Sequence, residues 1–400
     1  MQNQKRRSSK PIIPSVVESA PASYPSNIYN IKFSESGDKM AVGLQSQEIY
    51  VYNSRDPYCE GEVYPTHHKS PFGLKEITRL MGFRGQWTMT DLQFFKEDFI
   101  GHCALSPHIE LVHIETGNTN LYSYNVDTGF MSFSFVQDSI YAGCKPSYTG
   151  SNGKGKVVMW DMTRKTALES VEHGNYDTNA VVSVDNHLIA SAGDNGFIKL
   201  WDTRLFSSNS KQKHVGFLAG HTQGITSLDS HAGSFLISNG KDQKLKMWDL
   251  RFASDASTKP KRRTKERLYD YRWDTYIYDP TESTNPDDTS ILTCYSHSVY
   301  ATMIKSYFSP CGNYIYSGSS DGNIYIWNMY GDSVAVICNE QDLDADSTSS
   351  ETMLDMRQSY YNDPIIRDLA WHPNCPVIYG GVFAYAAKPD SKLLFCNAVV

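Results

Sequence analysis

The chain has 400 residues, a formal net charge of −7, 40% apolar and 20% charged residues. That length exceeds one ordinary core and suits either a few domains or a stacked repeat. The balance excludes a disordered chain and gives no global attraction for nucleic acid or an anionic membrane. The excess lies in 26 Tyr, 17 Phe and 7 Trp beside 27 Gly and 17 Pro, a mixture that favours strands joined by tight turns.

Residues 1–27 are basic and then Pro/Ser-rich, without the apolar stretch of a secretory signal. They read as a flexible arm in which IIPSVVES has strand character. No apolar run approaches the roughly 18 residues of a transmembrane helix. Eight cysteines without a CxxC pair point to reduced thiols and no zinc site. The expectation is a soluble, intracellular, mainly β protein.

Strand pairs then follow one another. IKFSESGDKMAVGLQSQEIYVYN (31–53) places a Gly-Asp turn between alternating segments, and residues 87–115 and 131–144 repeat the rhythm. His67 and His68 suggest a metal, but no carboxylate or Cys stands at ligand spacing, so a surface loop is expected. KGKVVMWD ends at Asp161, LIASAGDNGFIKLWD at Asp202, FLISNGKDQKLKMWD at Asp249 and YIYSGSSDGNIYIWN at Asn328. Trp160 to Trp201 is 41 residues, Trp201 to Trp248 is 47, and Trp248 to Trp327 is 79. The last interval is one unit plus an insertion, placed at 252–296. This insertion carries six basic residues from Lys259 to Arg267 and the Tyr-rich YDYRW block, Tyr269–Trp273. The basic run reads as a solvated loop, a nuclear-import signal or a phosphate contact. Residues 340–355 are acidic and Ser/Thr-rich, a solvated loop. IIRDLAWHPNCPVIYGGVFAYAA (365–387) opens a final unit without a clear outer strand, a job the N-terminal arm could fill.

About seven units are counted, and they resemble WD40 repeats, each a four-stranded blade of a β-propeller. The resemblance implies an all-β, seven-bladed WD40 β-propeller over 28–400, with the insertion and the short arm 1–27. It also implies a buried hydrogen-bond chain per blade, read as His221, Ser238, Asp242 and Trp248, and in the next blade as His297, Ser317, Asp321 and Trp327. The blade before them has His173, Ser191 and Trp201, with Asn195 at the Asp position. These roles are structural. There is no P-loop, helix-opening GxGxxG or HExxH, so no enzyme, cofactor or metal is expected.

Two repeats end in WDTR (Trp201–Arg204) and WDLR (Trp248–Arg251), while others end in WDMT and WNMY. Arg204 and Arg251 either meet a partner or brace the blade's own Asp202 and Asp249. Tandem WDxR repeats resemble the box of WD40 substrate receptors of cullin-4 ubiquitin ligases. HSVYATMIKSYFSP (297–310) and IRDLAWHP (366–373) add to that likeness. It implies a non-catalytic substrate receptor that meets the ligase adaptor and its cullin through Arg204, Arg251, Asp202 and Asp249. The protein substrate is unspecified, and the setting is nucleus, cytoplasm or both. The alternative is a WD40 scaffold of another complex without a ligase.

Overall fold

The computed structural model describes residues 13–14, 16–54, 74–82, 88–125, 128–145, 154–174, 176–206, 214–257, 285–338, 364–383 and 391–397. His67, His68, the basic run, the Tyr269–Trp273 block and the acidic loop 340–355 lie outside the described residues.

The strands form seven antiparallel sheets. The chain opens with β1 (Val16–Tyr24) and builds the first sheet from β2 (Ile28–Phe33), β3 (Lys39–Leu44), β4 (Glu48–Asn53) and β5 (Lys75–Met81). The second holds β6 (Met89–Phe95), β7 (Phe99–Ala104), β8 (His108–His113) and β9 (Thr119–Ser123). The third holds β10 (Phe130–Val136), β11 (Ser139–Cys144), β12 (Gly155–Asp161) and β13 (Thr166–Gly174). The fourth is β14 (Thr178–Ser183), β15 (Leu188–Gly193), β16 (Phe197–Asp202) and β17 (Gly216–Ala219). The fifth takes β18 (Ile225–His231), β19 (Phe235–Gly240) and β20 (Leu245–Asp249). Then β21 (Ser254–Asp255) crosses back to the free edge of β17, and β22 (Leu292–Cys294) closes the fifth sheet. The sixth is β23 (Ser306–Phe308), β24 (Tyr314–Ser317), β25 (Ile324–Asn328) and β26 (Ser333–Ile337). The seventh joins β27 (Ile365–Trp371), β28 (Val377–Phe383) and β29 (Ser391–Asn397) to β1, in register Val16↔Asn397 through Tyr24↔Ser391 with one bulge.

The expected insertion 252–296 is therefore narrower than its sequence suggests. Its two ends contribute β21 and β22, short strands whose polar residues hide their pairing.

Packing follows from this order. Second strands are covered on both faces by neighbouring sheets, so β3, β7, β11, β15 and β19 are buried at every residue but the first. Seven apolar clusters each fill one interface between consecutive sheets. One of them joins the seventh sheet to the first through Ile31, Val42, Tyr379 and Leu393. The sheets thus surround an axis lined by the first strand of each. Turns after first and third strands fall at one end of that axis, while turns after second strands and links between sheets fall at the other.

Candidate functional site

The fifth sheet contains a continuous buried polar chain. The Trp248 indole N–H donates to Ser238 Oγ at 2.8 Å, and the Ser238 hydroxyl donates to His221 Nε2 at 2.7 Å. His221 Nδ1 meets Asp242 Oδ1 at 2.9 Å, and Asp242 also accepts the Thr222 backbone N–H at 3.0 Å. Every donor faces an acceptor, so a chain inside an apolar sheet interface carries no bare polar group. Burial alone would raise the Asp242 carboxyl, but His221 holds it below the usual range. The sequence reading missed Gly240. A Cβ there would stand 2.4 Å from both Asp242 Oδ1 and His221 Nδ1, so only glycine lets the pair form.

The fourth sheet keeps three members: His173 Nδ1 and the Trp201 indole both lie 2.8 Å from Ser191 Oγ. Asn195 caps its own turn, accepting the Phe197 N–H at 3.1 Å. Burial, with Lys199 adding to it, pushes His173 down to about 3.

The sixth sheet does not assemble the expected chain. His297 Nε2 turns to Asn239 Oδ1 of the fifth sheet at 2.7 Å. Ser317 donates to the Gly318 carbonyl at 2.8 Å, and exposed Asp321 accepts the Tyr325 hydroxyl at 2.6 Å. Trp327 is buried and packs edge-on against His297 with ring centroids 5.5 Å apart. The cause is length. His221 precedes its Ser by 17 residues, whereas three more residues separate His297 from Ser317.

The WDxR turns lie after third strands, at the same end of the axis. Asp202 and Asp249 each cap a single 3-10 turn by accepting the backbone N–H of Arg204 and Arg251 at 3.0 Å. Each arginine then folds its fork onto the same carboxylate, with Nε at 2.9 Å from Asp202 and 3.0 Å from Asp249. The guanidinium groups nevertheless stay open to solvent, at 66% and 77% side-chain exposure. Leu205 and Phe252, the next residues, are 56% and 59% exposed. Neighbouring sheets therefore present an arginine and an apolar side chain at one register.

The axis itself holds polar residues that the sequence reading passed over. Lys305 leaves the start of the sixth sheet and reaches Asp91 and Asn30 at 2.8 Å each, with Asp368 at 3.7 Å. Three inner-strand aspartates clasp the following sheet through its backbone. Asp91 accepts from Phe133 at 3.3 Å, Asp229 from Phe308 at 2.8 Å, and Asp368 from Ile31 at 3.2 Å. The last of these ties the seventh sheet to the first. A usable signal was present: one aspartate inside the first strand of a unit, as in TDLQF, SLDSH and RDLAW. Among the described residues no group of three or more His, Cys, Asp or Glu is placed to hold a metal.

The repeat family "WD domain, G-beta repeat" matches residues 169–202, 212–249 and 288–328. The chain carries WD40 repeats. These three WD segments coincide with the sheets that hold Trp201, Trp248 and Trp327, and the all-β propeller is the architecture they build. Beyond the repeats, the chain is 29% identical over 380 residues to the LEC14B protein of Lithospermum erythrorhizon, covering 90% of this chain and 71% of that protein. The LEC14B homolog of Prunus armeniaca is 28% identical over 370 residues, 88% of this chain and 69% of the relative. The DDB1- and CUL4-associated factor 11 homolog of Caenorhabditis elegans is 30% identical over 228 residues, 54% of this chain and 36% of the relative.

Proposed function

We propose that this chain is the non-catalytic, substrate-recognising subunit of a cullin-4-type ubiquitin ligase. In this reading the seven sheets are the blades of one propeller, which docks on the ligase adaptor through Arg204 and Arg251. The observation that carries the proposal is the pair of neighbouring WDxR turns, each with an exposed guanidinium edge and an exposed apolar side chain. Arginine beside a large apolar residue is a common composition for an interface anchor. Relatives named for association with DDB1 and CUL4 support these two as adaptor and cullin. Within the class, the order of the sequence blocks resembles that of WD repeat-containing protein 23. The mechanism is positional: the rim holds the propeller on the ligase, and another surface holds a protein substrate near the transferred ubiquitin. Raised effective concentration is then sufficient to accelerate transfer. The basic run 259–267 adds the proposal of nuclear import.

The deciding experiment is the double change Arg204→Ala, Arg251→Ala, read by co-precipitation of DDB1 and CUL4. Loss of both anchors weakens binding at least about a hundredfold, with circular dichroism and melting temperature unchanged. A folded double variant that binds at full strength overturns the proposal. One observation favours a structural role for the two arginines: both forks already engage their own aspartates. Under that reading the double variant loses stability, and any binding loss follows unfolding.

A further inference from the structure

Inside the ring of first strands lies a cavity of about 420 Å³, within the range of sites that take small molecules. Apart from Glu35 and Lys96, which are exposed to solvent, its charges fall into two groups. Lys305 is committed to Asp91, Asn30 and Asp368. Arg367 is committed as well: its guanidinium lies 3.9 Å over the Tyr29 ring, and it donates to Thr302 Oγ1 at 3.0 Å and to the Tyr29 carbonyl. These residues hold the sheets together.

Lys32 and Asp229 differ in having no ion-pair partner among the described residues, although Asp229 also clasps the sixth sheet. Lys32 projects from β2 with its ammonium 3.7 Å from the centre of the Tyr307 ring, and among the described residues no carboxylate is in ion-pair contact with it. A ring face offsets only part of the cost of removing an ammonium from water. Asp229, on β18 of the fifth sheet, accepts main-chain N–H groups from Phe308 and Ser230, and no described cation is in ion-pair contact with it. Burial pushes its carboxyl up to about 6, against the pull of those N–H groups and of Lys32. The two charges sit on non-adjacent sheets and line one cavity. Lys32 lies in the field of Asp368 and Asp91 and, more weakly, of Asp229, with none of the three in ion-pair contact, and Asp229 lies in the field of Lys32.

We propose that the axial cavity binds a small zwitterion of amino-acid or dipeptide size, its anionic oxygens on Lys32 and its ammonium on Asp229. Such a ligand satisfies both stranded charges at once, and neither a simple anion nor a simple cation does so. Phe33 and Phe94, which line the same cavity at the ends of β2 and β6, offer an apolar surface to the rest of the molecule. The site is independent of the ligase proposal, since it uses none of the WDxR residues.

Calorimetric titration and thermal shift on the full chain test it. The probes are glycine, phenylalanine and glycylglycine, with acetate and methylammonium as half-ligands. At least one zwitterion binds with a dissociation constant of roughly 1 mM or tighter. Each half-ligand binds at least about tenfold more weakly. Lys32→Met and Asp229→Asn each weaken the zwitterion at least about tenfold, because each removes one of the two charges that hold it, while circular dichroism checks that the variant is folded. If Lys32→Met does not fold, Lys32→Gln and Asp229→Asn carry the same test. The proposal is overturned if no zwitterion binds, if a half-ligand binds as tightly, or if affinity survives in the folded variants.

Discussion

The fifth and sixth sheets carry the same residues at the same spacing from Ser to Trp, and they do different things with them. In the fifth, His221 joins Ser238, Trp248 and Asp242 in one closed chain. In the sixth, the equivalent histidine leaves its own sheet for Asn239, and Asp321 stays at the surface. The connections into the two sheets explain the divergence. His221 stands four residues before β18, while His297 stands nine before β23, in a segment where Ser296 (φ 90°) and Ala301 (φ 63°) adopt left-handed backbone. Spacing within a hairpin is fixed by strand register, so Ser and Trp stay paired in sequence. Spacing across a link is not, and three extra residues redirect the imidazole. A repeat consensus therefore locates strands more securely than it locates hydrogen bonds.

The largest expected effect comes from the two aspartates. Asp242→Ala removes the partner of a buried histidine and should cost about 3 kcal/mol or more. Asp321→Ala removes an exposed turn cap that accepts the Asn323 N–H and the Tyr325 hydroxyl, and should cost about 1 kcal/mol. Denaturant midpoints measure both. Equal losses would mean that the sixth sheet forms the closed chain after all.

Acid separates the sheets next. His297 donates Nε2–H to Asn239 Oδ1, and its Nδ1 is buried with no acceptor or donor among the described residues. Burial pushes it down to about 4, although Asp321 and Asp242 pull upward and His221 adds to the depression. The folded value lies below the 6.5 of a free imidazole, so the unfolded chain takes the proton first. Stability is full above that value, falls as pH drops toward about 4, and levels off below it. The loss across the window is about 2–3 kcal/mol. His297→Gln should lessen the slope of this part of the stability profile, leaving the part due to His173, which is also held low by burial. The Asp242 contribution is lost only at more acid pH, as its lowered carboxyl protonates. A profile unchanged by His297→Gln would remove the buried neutral imidazole from the account. Asn239→Leu strands the His297 Nε2–H and leaves the Ile304 carbonyl with Thr226 Oγ1 as its side-chain donor, and should cost about 2 kcal/mol.

The sequence makes strands, turns and the Trp register legible because each is local: alternation, Gly-Asp turns and a ten-residue Ser-to-Trp step. WDxR is legible as a motif, yet its chemistry is not, since the same fork can face a partner or its own aspartate. The axial residues were missed for a different reason. Lys32, Asp91, Asp229 and Lys305 come from four sheets and acquire meaning only when the ring brings them together. Likewise β21 is two residues long, and its pairing with β17 depends on where the fifth sheet ends rather than on its own composition.

The smallest effect distinguishes the two ends of one turn. In the fifth sheet Asp249 caps the turn through the Arg251 N–H, and in the sixth Asn328 does the same through the Tyr330 N–H at 2.9 Å. The cap is thus common to both sheets, and the arginine is not. Asp249, only 3% exposed, loses that cap on change to alanine, which should cost about 1 kcal/mol. Arg251→Ala removes a fork that is mostly in solvent and should leave the melting temperature where it was. Tyr330→Ala, at 86% exposure, should do the same. Paired melting curves of Asp249→Ala and Arg251→Ala decide between the two uses of the arginine. If Arg251→Ala destabilises as much as Asp249→Ala, the fork is a structural brace and the rim loses its claim as a docking surface. If only Asp249→Ala destabilises, the fork is dispensable for folding and, beside Phe252, stays open to a partner.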